Sequence, residues 1–163
     1  MNDCSCWTCA HPEATPEDYR GFVREIIDRA GWMVQGVYGT RLHAPWAYTV
    51  GLTEHGLPEL VVTGRRLAAA GSLLNGVADY TMREMQVRPG EVMHLGDLHL
   101  EAVGLPHPEA HLFTAEAMYG PRLTAVQMVW MDDRGGLPWD VGHRGGRGGQ
   151  PVLGPRTCPP LSA

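Results

Sequence analysis

The chain has 163 residues, 44% of them hydrophobic and 19% charged, with a formal net charge of −5. That suits one compact domain with its own core, and the negative balance argues against a broad nucleic-acid surface, which needs clustered Lys and Arg. No apolar run approaches the ~20 residues that cross a bilayer. The first fifteen residues lack the basic-then-apolar order of a secretory signal, so the expectation is a cytoplasmic protein that binds neither membrane nor nucleic acid.

Residues 1–14 form a Cys-rich segment in which Cys4, Cys6, Cys9 and His11 fall close together. In a reducing compartment such cysteines are thiols or metal ligands rather than disulfides. Thiolate and imidazole are the donors zinc prefers, and four of them close a tetrahedral site. The C-x-C step is tighter than the usual C-x-x-C, so three local ligands and a distant fourth are easier to build. The alternatives are an unstructured end carrying thiols, or a Cys6–Cys9 redox pair, which normally follows a strand and opens a helix.

Residues 15–136 read as a single α+β domain. Thr15 is a good N-cap, Pro16 suits the first helical position and Asp18 stands where a capping-box acid reaches back. Tyr19, Phe22, Val23, Ile26 and Ile27 then share one face of a helix over 16–30, stopped by Gly31. Strands are expected over 32–38 and 46–52. In the second, Trp46, Tyr48 and Val50 face one way, and the small residues Ala47, Thr49 and Gly51 face the other. A side that small admits either a ligand or a packed helix close to the main chain.

The connection 53–58 carries Glu54 and His55. A His beside a carboxylate in a loop at a strand end is a candidate acid–base or metal-binding pair; an exposed turn pair is the plain alternative. Residues 59–64 read as a central strand. Arg65 and Arg66 follow, at the start of a helix over 67–85. Helix N–H groups with two guanidinium side chains make a candidate phosphate cradle, although no Gly-rich fingerprint accompanies it.

Strands near 91–94 and 99–104 turn through Gly96-Asp97, and a helix over 110–119 stops at Gly120-Pro121. The last strand spans 123–131. Its Gln127 lies mid-strand and needs a buried partner or a ligand. Residues 137–163 form a Gly/Pro-rich tail expected to lie over the body. Within it, Arg144 and Arg147 among glycines either grip an anion through exposed backbone N–H groups or belong to a flexible linker. The fold expectation is α+β: a mostly antiparallel sheet of five or six strands flanked by two main helices, closing partly as a split β-barrel or staying open.

Taken together and in order, CWTCAHPEAT, HAPWAYTVGLTEHGLPELVVTG, LLNGVA, YGPRLTAVQMVWMDDRGGLPWD and GQPVLGP resemble the bacterial domain-of-unknown-function family 4262. The likeness spans nearly the whole chain. It implies signature positions that include Trp46, Glu59, Gln127, Trp130, Asp132 and Gln150. Cys6, Cys9 and His11 resemble a CWxCxHP opening of some members, to which Cys4 is extra. The order of elements is also loosely similar to flavin-reductase-type split barrels, which implies a flavin phosphate held near strand ends, often between the subunits of a homodimer.

Two functional expectations result. One is a small-molecule or flavin-binding domain, an oxidoreductase in its strongest form. Arg65, Arg66 and Arg144 would hold phosphate, Thr49, Gly51 and Gln127 would line the cofactor, and His55 with Glu54 would supply the chemistry. The other is a non-catalytic interaction module stabilised by zinc at Cys4, Cys6, Cys9 and His11.

Overall fold

Local chemistry sets the first long helix. In the computed structural model, which describes residues 6–83 and 86–157, helix α1 covers Trp7–Ala10 and α2 covers Pro16–Ala30. The Thr15 hydroxyl accepts the Asp18 N–H at 3.2 Å, and the Asp18 carboxylate accepts the Thr15 N–H at 2.8 Å, closing the capping box. Gly31 ends the helix at φ +89°, donating its N–H to the Ile27 carbonyl. Trp7 stacks on Phe22 with ring centroids 5.1 Å apart, so α1 lies against α2.

Six strands follow: β1 Met33–Val37, β2 Trp46–Val50, β3 Glu59–Thr63, β4 Val92–Leu95, β5 Leu98–Leu105 and β6 Ala125–Trp130. Their order in one sheet is β1-β2-β3-β6-β5-β4. Every neighbouring pair is antiparallel except β3–β6, which is parallel. Two antiparallel meanders, β1-β2-β3 and β6-β5-β4, are thus fused along one parallel seam.

The sheet is open, with β1 and β4 as its edges; the split-barrel alternative is not realised. Helices cover both faces, which an open sheet admits, whereas a small barrel must turn one face inward and fill it with side chains. On one face Ala47, Leu60, Val62, Leu100, Val126 and Met128 pack with Leu73, Leu74 and Val77 of α3 (Leu67–Arg83). On the other, Tyr48, Val50 and Val61 pack with Val23 and Ile27 of α2 and with Ala115 and Tyr119 of α4 (Phe113–Tyr119). The C-terminal segment covers the rest of that side, where Leu137, Trp139 and Val152 meet Val103 and Val129.

Several expected elements change length. β2 stops at Val50 because Gly51 takes φ +131°, and Leu52–His55 winds into a 3₁₀ turn. The helix expected over 110–119 starts only at Phe113, preceded by a 3₁₀ turn at Pro108–Ala110. The expected last two residues of the helix over 67–85 lie outside the described residues.

Candidate functional site

The small-residue side of β2 faces α3, and Ala47 is part of the core that α3 completes. Thr49 is fully buried. Its hydroxyl donates to Glu59 Oε2 at 2.6 Å and accepts the Leu60 N–H at 2.8 Å. Glu59 Oε1 accepts the Gly51 N–H, the Thr53 N–H and the Thr53 hydroxyl at 3.0, 3.0 and 2.9 Å. Burial pushes the Glu59 carboxyl up, against these donors. A Cβ at Gly51 would lie 2.7 Å from the Gly31 carbonyl and 2.8 Å from Trp32 Cα. The reading of Thr49 and Gly51 as a cofactor wall is therefore corrected. The room left by small side chains is taken by α3 and the Gly31–Trp32 backbone, and their polar atoms serve Glu59.

Glu54 and His55 sit in the 3₁₀ turn, both exposed. Glu54 pairs with Arg24 of α2 and accepts the Tyr119 hydroxyl of α4 at 2.9 Å. It is a tie between helices rather than an orienting partner for His55. Partial burial opposes its charge, but the Tyr119 hydroxyl and the Arg24 guanidinium outweigh that and hold it below the usual carboxylate range. Burial, and then Glu54 itself, raise the Tyr119 hydroxyl. Because the folded value is depressed, Glu54 contributes stability above its unfolded value, and that contribution is lost as pH falls through the folded one. Glu54→Gln should therefore be less stable than wild type at pH 7, with the gap closing only as pH falls through the depressed folded value, as read by urea titrations across pH. A gap that persists unchanged into acid would refute this role.

Of the expected metal ligands, Cys4 lies outside the described residues. Cys6 precedes α1, Cys9 lies within it and His11 follows it, all exposed. His11 Nδ1 lies 2.9 Å from the Trp7 carbonyl, and its ring stacks on Trp7. Among the described residues no three His, Cys, Asp or Glu side chains converge to hold a metal ion.

The arginines behave differently. The parallel pairing sets the carboxyl ends of β3 and β6 side by side, and Trp130 Nε1 donates to the Thr63 carbonyl at 2.9 Å. Arg65, just past β3, lies over the Trp130 ring at 5.0 Å; Arg144, from the tail, lies over it at 5.5 Å. Beside them opens a cavity of about 470 Å³ lined by Trp130, Asp132, Asp133, Arg134, Arg144, Gly145 and Arg147. Arg65 and Arg66 both fall outside that lining, and Arg66 is exposed ahead of α3.

Asp132 fastens the tail to this end of the sheet. Its Oδ1 accepts the Arg134 and Gly136 N–H groups at 2.9 and 2.8 Å, and its Oδ2 accepts the Arg144 N–H at 2.6 Å. The backbone donors of Arg144 and Gly136 hold its carboxyl below the ordinary range. Arg144 takes φ +49°, the single non-Gly residue at positive φ among those described. The neighbouring His143 is buried. Its Nδ1 lies 2.9 Å from the Gly136 carbonyl, which places the proton on that nitrogen, and Asp132 Oδ2 is 3.7 Å away. Its Nε2 is the one buried side-chain polar atom with no partner among the described residues.

Gln127 meets the tail rather than a ligand. Its Nε2 donates to Thr63 Oγ1 at 3.0 Å and to the Pro151 carbonyl at 2.7 Å, and its Oε1 accepts the Leu153 N–H at 2.7 Å. The Gln150 amide brackets the Trp130 backbone, with both bonds at 2.9 Å. The cofactor role expected for Gln127 is corrected accordingly, because its hydrogen-bonding groups are used by the protein's own C-terminal segment. Trp130 and Asp132 stand among the signature positions implied by the family resemblance but carry no site role there, and sequence reasoning missed His143. Nothing local marks His143.

A family model described as Domain of unknown function (DUF4262) matches residues 26–144. Comparisons with curated proteins and with solved structures find no match. The matched span contains all six strands, Glu59 and its donors, and Arg65, Trp130, Asp132 and Arg144. With more than half of its length inside that match and the whole sheet within it, the chain belongs to the DUF4262 family.

Proposed function

We propose that this protein binds a small molecule bearing a phosphate- or carboxylate-type oxyanion in the cleft at the carboxyl ends of β3 and β6. The observation that carries the reading is the convergence of Arg65 and Arg144, far apart in the sequence, on the Trp130 indole, with Trp130 and Arg144 also lining the cavity. A guanidinium is weakly hydrated, lies flat on an aromatic ring and keeps its in-plane N–H groups for a planar or tetrahedral oxyanion. Arg134 and Arg147 add positive charge around the same cavity.

The location supports it as well. By analogy, ligands of open sheets lie beyond the carboxyl ends of adjacent parallel strands. The His143 Nε2, buried beside Trp130 but outside the cavity lining, lacks a partner among the described residues, and unsatisfied buried groups of this kind call for a water or a ligand. A volume of about 470 Å³ falls within the range of small-molecule sites. Flavin phosphate belongs to the same chemical class, but the berth expected for its ring beside Thr49 and Gly51 is filled by α3. Flavin mononucleotide is therefore one probe among several.

The test is calorimetric titration of the full chain with inorganic phosphate, pyrophosphate and flavin mononucleotide, repeated on Arg65→Ala and Arg144→Ala. Each lost guanidinium should weaken binding about tenfold, since a charge-assisted hydrogen bond is worth roughly 1.5–3 kcal/mol and 1.4 kcal/mol is a factor of ten. Absence of saturable binding by wild type, or equal affinity in wild type and both folded variants, overturns the reading.

A further inference from the structure

We propose that His94 and His99, on the β4–β5 hairpin, chelate one divalent transition-metal ion of the copper, nickel and zinc class, with water filling the remaining positions. The two residues are directly opposed in the strand register, and their ring centroids lie 4.2 Å apart at 79°. The hairpin closes at Leu95↔Leu98 around Gly96 and Asp97. The His99 carbonyl accepts the Met131 N–H on the far side of β5, so its backbone polar groups point away from β4. The His94–His99 pair is therefore the close type that exchanges no ladder bonds, with Cα atoms about 4.5 Å apart and side chains on one face.

The base beneath this pair is firm. Met93, Leu95 and Leu98 pack against the α3 side of the core. A Cβ at Gly76 of α3 would lie only 2.8 Å from Leu95 Cδ2. Strand alternation then puts both imidazoles on the opposite face, and both are exposed. Glu101, two residues beyond His99 on that face, is held by Arg156 through bonds of 2.8 and 3.0 Å. The donor set is thus two imidazole nitrogens and water, which suits copper, nickel and zinc and not magnesium or calcium. The backbone has already brought the two ligands together, so binding need not order them.

The test is titration of the full-length reduced protein with Ni²⁺, followed by calorimetry and by proton NMR of the histidine ring signals. Paramagnetic broadening should strike the His94 and His99 rings together and first. His94→Ala and His99→Ala should each weaken this binding at least tenfold, while Mg²⁺ should not compete. Circular dichroism confirms that the variants fold, as expected for exposed positions. Broadening confined to other histidines, or unchanged Ni²⁺ affinity in both variants, overturns the proposal. Neither result bears on oxyanion binding at the Trp130 cleft.

Discussion

Glu59→Ala should lower the unfolding free energy on the order of 4 kcal/mol, measured by urea denaturation at neutral pH. Glu59 is fully buried, and no Lys or Arg is among the groups bonded to it. Its carboxylate accepts from the Thr49 hydroxyl, the Gly51 and Thr53 N–H groups and the Thr53 hydroxyl. Truncation removes the acceptor and leaves those donors in a dry interior, where each unsatisfied group costs about 1–3 kcal/mol. Water entering the gap would recover part of that, which is why the expected loss is smaller than the sum. Glu59→Gln should lose about half as much, because its amide keeps one oxygen acceptor and turns an NH₂ toward a donor. Glu59 stands at the opposite end of β3 from Arg65, so the folded variants should retain anion binding. A loss under about 1 kcal/mol for Glu59→Ala would mean the four donors find other partners, and the anchoring role would fail.

Gly64→Ala should cost roughly 3 kcal/mol and weaken oxyanion binding at the same time. Gly64 takes φ +72°, a conformation that a side chain disfavours by about 1–2 kcal/mol. Its missing Cβ would also run into the Gly149 carbonyl and lie 2.9 Å from Gln150 Cα. Both obstacles are backbone and cannot rotate aside, so overpacking adds about 1–3 kcal/mol. The segment forced away is the one that Gln150 clamps to Trp130 and that Gln127 and Thr63 hold at Pro151. Arg144 rides on the same segment, with its guanidinium donating to the Gly148 carbonyl at 2.9 Å. Displacing it should move that cation off the indole. A variant with full stability and unaltered phosphate affinity would show that the tail contact at Gly64 is dispensable to both.

What the sequence disclosed was what local chemistry determines. The Thr15–Asp18 capping box, Gly31 as a helix stop and the alternation in β2 all follow from a few neighbouring residues, and the structure contains each of them. The pairing of β3 with β6 does not. Thr63 and Trp130 are 67 residues apart, and nothing in either strand specifies a parallel neighbour. Arg65 and Arg144 were each readable as anion-binding groups, yet their meeting over one indole depends on that seam. Glu59 was read as part of a β-branched strand, because burial of a carboxylate depends on donors arriving from residues 49 to 53. Gln127 was recognised as needing a buried partner; one partner, Thr63, sits on the neighbouring parallel strand, and the others lie more than twenty residues downstream in a stretch with no period to read.

The parallel seam also bears on how the molecule coheres. Each meander is knit by contacts between successive strands, while β3 and β6 alone weld one to the other within the sheet. Trp130 lies at the end of that weld, with Arg65 of the first half and Arg144 of the second over its ring. An occupant of the kind proposed, held by all three, would act as a staple across the join. By mass action it would stabilise the joined halves by RT ln(1 + c/Kd), with c its free concentration, so occupancy and the integrity of the sheet are thermodynamically linked.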